Sequence, residues 1–228
     1  MAPGTQAISI TPSSFFLLNS NKVDVKKKVK LAKYIWVSSF VNLPHKEQSL
    51  LGWLTSSITQ LKCNSGSDAR CLWSTLAEVL SSKQLDACIK DGSSNLVIGP
   101  SFTKTFVRAL EQQDNIEILF DLLTVGMCLL RLKLFSVETS KLELFFDYIS
   151  ALVSIHNRLH DNKEHSDVRK KVGLLLQDVL KQLLNHLSKA TVVEKGMLYF
   201  MKTTLLCLLK LRDTINDDDS QGTNSSHR

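Results

Sequence analysis

Residues 26–54 read KKKVKLAKYIWVSSFVNLPHKEQSLLGWL, and their spacing decides the fold class. Val25, Val29, Ala32, Trp36 and Phe40 recur at i, i+4, i+7, i+11 and i+15, the period of a helix with one apolar face. A second helix enters through Leu43-Pro44, because proline fits a first helical turn, where its missing N–H has no partner to lose. Leu50, Leu51, Leu54, Ile58 and Leu61 then form the buried stripe of that helix.

The same period continues along the chain. After a Cys63-Asn-Ser-Gly-Ser loop, Ser67 is the expected N-cap of a helix burying Leu72, Trp73, Leu76, Val79 and Leu80. A short helix from Lys83 to Asp91 stops at Gly92, and residues 92–100 form the one extended or irregular stretch. Helix resumes near Ser101, burying Phe102, Phe106 and Leu110. Asp114 and Glu117 have the spacing of a capping box at the head of an apolar helix that runs to Phe135. Two further stripes follow, one from Leu142 to Leu159 and one from Val172 to Leu187, the latter opening after Ser166. A last helix opens at the capping box Thr191-Val-Val-Glu194 and runs to about Arg212.

The expected fold is therefore all-α, an irregular stack of about nine helices resembling a HEAT/armadillo-like α-solenoid. Residues 1–21 are expected to be a flexible N-terminus, 22–212 one solenoid-like module, and 213–228, which lack an apolar stripe, a disordered polar tail.

Composition agrees with this. Of the 228 residues 43% are hydrophobic, which excludes general disorder, and only nine glycines and four prolines are present, which disfavours a turn-rich β fold. Five cysteines with no C-x-x-C read as reduced core thiols of an intracellular protein. Residues 1–21 carry no charge, so they lack the basic segment of a signal peptide. The greasiest run, Ile116 to Phe135, is interrupted by Glu117, Asp121, Arg131 and Lys133, short of the ~20 apolar residues a membrane-spanning helix requires. No membrane association is expected.

Motifs for chemistry are absent from the sequence. It contains no G-x-S-x-G elbow, no G-x-x-x-x-G-K-[ST] and no G-x-G-x-x-G, so neither an enzyme, nor a cofactor, nor a small-molecule substrate is expected. His156 and His160 stand at i, i+4, but Asn157 follows the first where a metalloprotease helix has glutamate. The stretch HNRLHDNKEH is a solvated helix end rather than a metal site.

Charge is more telling. Residues 1–113 hold thirteen Lys/Arg against seven Asp/Glu, whereas 114–228 hold fifteen of each, so the net +6 belongs to the first half. Its densest point is Lys22, Lys26, Lys27, Lys28, Lys30 and Lys33. Three readings stand: contact with nucleic acid or an acidic partner, a nuclear import signal, or the solvated face of an amphipathic helix.

Lys30-Leu31-Ala32, Trp36, Ser38 and above all Leu43-Pro44-x-Lys46-Glu47-Gln48-x-Leu50-Leu51-x-Trp53 resemble the N-terminal region of the unhealthy ribosome biogenesis protein 2 family of vertebrates. A second similarity runs from Leu72-Trp73 through Leu80, Ser82-Lys83, Leu85 and Lys90 to Gly92 and Asn95-Leu96. The resemblance covers roughly residues 24–100, and those positions pack and cap helices rather than form an active site. It implies a nucleolar scaffold of early large-subunit ribosomal precursors and rRNA processing, working among other ribosome assembly factors and pre-ribosomal RNA. Family members are much longer, so the resemblance also implies an N-terminal piece of such a protein. The competing class is a generic helical adaptor of nuclear transport or chromatin.

Overall fold

Burial of one apolar stripe per helix organises the chain, seen in a computed structural model that describes residues 13–20, 22–38, 46–61, 66–90, 96–135, 142–159 and 165–189. Among these residues are nine α-helices and no strand. The chain is all-helical. It divides between Val97 and Ile98 into two compact units, where sequence suggested one module over 22–212.

The first unit holds α1 (Ser13–Asn19), α2 (Val25–Val37), α3 (Lys46–Thr59), α4 (Ser67–Leu80) and α5 (Lys83–Lys90). α4 packs against both α2 and α3, α2 packs against α3, and α1 lies on α2. The face of α4 is wide: Ala69, Leu72, Trp73, Thr75, Leu76, Ala77, Val79 and Leu80 are all buried. Thr75 is tolerated there because its hydroxyl donates to the Cys71 carbonyl at 2.7 Å. α5 buries Leu85, and Gln84 Nε2 donates to Glu47 Oε1 of α3 at 3.2 Å.

Lys46 is buried, although lysine almost never is unless its charge has a partner. Its ammonium donates to the carbonyl of Ser38, the C-cap of α2, at 3.2 Å. Such an end carries the negative pole of the helix dipole, so the head of α3 is charge-matched to the tail of α2.

α1 falls within residues 1–21, expected from sequence as a flexible terminus. Phe15-Phe16-Leu17-Leu18 is too short to show a period; Leu18 is fully buried while Phe16 and Leu17 stay exposed. Two caps also differ from the sequence reading. The N-cap of α4 is Gly66, with Ser67 inside the helix.

The second unit holds α6 (Pro100–Gln112), α7 (Ile116–Arg131), α8 (Leu142–Arg158) and α9 (Ser166–Lys189). The cap of α7 is Asn115, whose side chain accepts from the N–H groups of Glu117 and Ile118 at 3.0 and 3.2 Å. Asp114 is instead an ion-pair partner of Arg158, at 2.9 Å, and Arg158 also donates to the Gln113 carbonyl at 2.7 Å. That pair ties the end of α8 to the α6–α7 connection.

Neighbour relations within this unit are those of two stacked helical hairpins: α6 with α7, α8 with α9, α6 on α8 and α7 on α9. α7 ends in a Schellman turn with Lys133 at φ 55°, its N–H and that of Leu134 donating back to Leu130 and Leu129. On the α7–α9 contact, the Lys171 ammonium sits 3.3 Å from the Phe120 ring centroid and donates to Thr124 Oγ1 at 2.6 Å. Burial lowers the pKa of Lys171, opposed by the charge of Asp121.

Of the expected features, Phe40, Leu43-Pro44, Gly92, the helix from Thr191 to about Arg212 and the tail 213–228 lie outside the described residues. No helix among the described residues is long and apolar enough to cross a membrane.

The core of the second unit is aromatic. Tyr148 lies between Phe106 and Phe135, tilted against the first and edge-on to the second, with centroids 5.6 and 5.3 Å away. Its hydroxyl is buried with no hydrogen-bond partner among the described residues, and burial pushes its pKa above the usual phenol value. Gly126 makes room for it: a Cβ there would fall 2.5 Å from the Tyr148 hydroxyl oxygen and 3.3 Å from Phe106. Gly126→Ala should therefore destabilise by about 1–3 kcal/mol through overpacking. Tyr148→Phe should stabilise, because an orphaned buried hydroxyl costs about 1–3 kcal/mol. In the Tyr148→Phe background the cost of Gly126→Ala should fall, as read by a double-mutant cycle in urea. Equal cost in both backgrounds would place the strain elsewhere.

Candidate nucleic-acid interface

The six lysines singled out by sequence do not form one patch. α2 opens at Asp24, whose carboxylate accepts from the Lys26 N–H at 3.1 Å, and buries Val29, Ala32, Ile35 and Trp36. At 3.6 residues per turn that face fixes where each lysine emerges.

Lys26, Lys27 and Lys30 lie on the opposite, exposed face, together with Tyr34 and Val37, which are 43% and 72% exposed. No carboxylate among the described residues pairs with those three lysines, and α2 itself contains no acidic residue. Lys22 is exposed in the turn before α2. Lys33 sits on one flank and forms an ion pair with Glu78 of α4, so its charge is already matched. Lys28 sits on the other flank, half-buried, where it faces α3. The sequence reading missed Tyr34; an aromatic four residues after Lys30 was the signal for it.

Charge on this face works against the helix. Lys26 and Lys30 are a like-charge i, i+4 pair, and Lys26, Lys27 and Lys28 crowd the positive end of the dipole, which Asp24 caps. A polyanion laid along α2 would relieve both. The run Lys26–Lys30 is also helical, so a receptor that reads an extended basic peptide would have to unwind it.

The three tryptophans separate by environment. Trp36 and Trp73 are buried, 5% and 0% exposed. Trp53 is only half-buried, and its indole N–H donates to the Leu18 carbonyl at 3.0 Å, fastening α1 to α3. Two cavities, about 500 and 610 Å³, open on it, and both are also lined by Lys28, Ser57 and Gln60.

Other candidates give less. His156 is half-buried in α8, His165 precedes α9, and His160 and Glu164 lie outside the described residues. No group of three metal-ligating side chains occurs among the described residues. Cys128 is buried and Cys71 half-buried, and neither is in a disulfide.

Trp36→Ala should lower stability by about 3–5 kcal/mol, the cost of emptying a fully packed aromatic site. Trp53→Phe should cost about 1 kcal/mol, chiefly the lost hydrogen bond to Leu18. Urea denaturation of both variants checks the ranking, and a larger loss for Trp53→Phe would make Trp53 the core residue of the two.

Comparison with family models, curated proteins and solved structures finds no match for this chain.

Proposed function

We propose that this chain is a non-catalytic helical scaffold of ribosome biogenesis, acting in early large-subunit precursor assembly and rRNA processing in the nucleolus. It holds other assembly factors through its helical surfaces and pre-ribosomal RNA through α2. The observation that carries the RNA contact is the exposed face with Lys26, Lys27 and Lys30 around Tyr34, three cations without anionic partners among the described residues. Lysines on a helix contact phosphates as point charges and read no base edges, so this contact supplies affinity without sequence preference. The stacked hairpins α6–α7 and α8–α9 support a scaffold built by helical stacking, and the residues of 24–100 quoted above support the biogenesis role by resemblance.

Binding of single-stranded RNA should weaken steeply with salt, by ~0.7 log units per phosphate contact per log unit of salt. The triple variant Lys26→Gln, Lys27→Gln, Lys30→Gln should flatten that slope by about two units, with the melting temperature held or raised as self-repulsion is relieved. Lys33→Gln, which removes a charge already engaged by Glu78, should leave the slope near the parent value. Fluorescence anisotropy against salt concentration reads all three. If the triple variant binds RNA as the parent does at every salt concentration, α2 is a solvated face. In nuclear extract, the tagged chain should sediment with large-subunit precursors until RNase is added. Sedimentation only as free protein would leave the adaptor reading.

A further inference from the structure

We infer that the cleft around Trp53 is a base-binding pocket, in which one unstacked base of a single-stranded RNA lies against the indole while Lys28 holds its phosphate. The inference rests on the RNA reading of α2 and adds to it a site that recognises bases rather than charge.

Five observations converge. The two cavities sharing Trp53, Lys28, Ser57 and Gln60 each fall within the ~300–1,000 Å³ span of small-ligand clefts. Trp53 is held by its hydrogen bond to Leu18, so its ring is oriented before any ligand arrives. A pre-oriented, half-buried aromatic is what stacking on a base requires.

The chemistry of the walls is selective. The larger cavity is lined by Leu18, Asn19, Ser49, Gly52 and Ser56 besides the shared residues, so among the described residues it contains hydroxyls, amides and one ammonium but no carboxylate. That set suits a neutral base with donor and acceptor edges joined to an anion; it disfavours a cation, and it is too polar for an apolar side chain. The smaller cavity adds Asp68, an acceptor for an exocyclic amine.

Access is also provided. Gly52 is exposed in the middle of α3, where glycine weakens a helix, and a Cβ there would meet nothing within 4 Å. Finally, Lys28 stands beside Lys27 on α2, so a strand leaving the cleft passes directly onto the exposed lysine face.

The test compares oligouridylate with a ribose-phosphate oligomer of the same length that lacks bases. The parent protein should bind the base-bearing oligomer roughly 5- to 150-fold tighter, the factor one stacked base commands. That oligomer alone should quench the emission of Trp53, the other two tryptophans being buried. Gly52→Leu fills open space and raises helix propensity, so it should keep or raise the melting temperature while abolishing the preference and the quenching. Trp53→Leu should lose the preference, and Trp53→Phe should retain part of it. The lysine contribution to both oligomers should persist in all three variants.

Equal binding of the two oligomers by the parent, or an undiminished preference in Gly52→Leu, would overturn the pocket and leave the α2 contact standing. Failure of the triple lysine-to-glutamine variant to weaken either oligomer would instead overturn the α2 contact. Quenching by a poly-glutamate peptide with none by oligouridylate would assign the cleft to an acidic protein partner, and overturn the inference.

Discussion

The apolar face of α4 is the constraint on which the first unit depends. A fourteen-residue helix is marginal by itself in water, and α4 has eight buried positions, Trp73 among them, that water would otherwise wet. Covering that face takes two helices, α2 and α3, which must then also pack on each other. Once Val29, Ala32, Ile35 and Trp36 are turned inward, the rotation of α2 is set, and with it the direction of every lysine on it. The basic face is thus a by-product of core packing.

Polar ties adjust this arrangement at its edges. Lys46 satisfies the C-cap of α2 from the head of α3, and the Trp53 indole reaches the Leu18 carbonyl of α1. Each joins an element to a carbonyl at the end of another helix, where the backbone has no partner of its own to offer. In the second unit Arg158 plays the equivalent part at the α6–α7 connection. In the same unit the Tyr148 hydroxyl is buried without a hydrogen-bond partner among the described residues, where a Phe-lined core accepts the ring but supplies nothing for the oxygen.

Electrostatics divides the lysine cluster into three roles. Lys33 is neutralised across the α2–α4 contact, Lys28 is drawn toward the Trp53 cleft, and Lys26, Lys27 and Lys30 face solvent beside Tyr34. Uncompensated like charges on one helical face raise the local potential and concentrate counterions, which is the physical basis of polyanion binding. In the reading proposed above, the neighbouring cleft with its aromatic wall adds a contact to bases beside the contact of the lysines to phosphates.

Sequence by itself determined the helices, because a 3.6-residue apolar period is written in order along the chain: Val29, Ala32 and Trp36 on α2, and Leu50, Leu51, Leu54 and Ile58 on α3, are buried as spaced. It did not determine α1, whose seven residues hold too little of a period. It also misplaced two caps, since neighbouring Asp114 and Asn115, or Gly66 and Ser67, compete for one position and only backbone geometry chooses. Nor did it yield two units, the pairing of Lys33 with Glu78, or the difference between Trp53 and the two buried tryptophans. Those depend on contacts between residues up to 45 positions apart, and periodicity along one helix states which face is buried but not what lies against it.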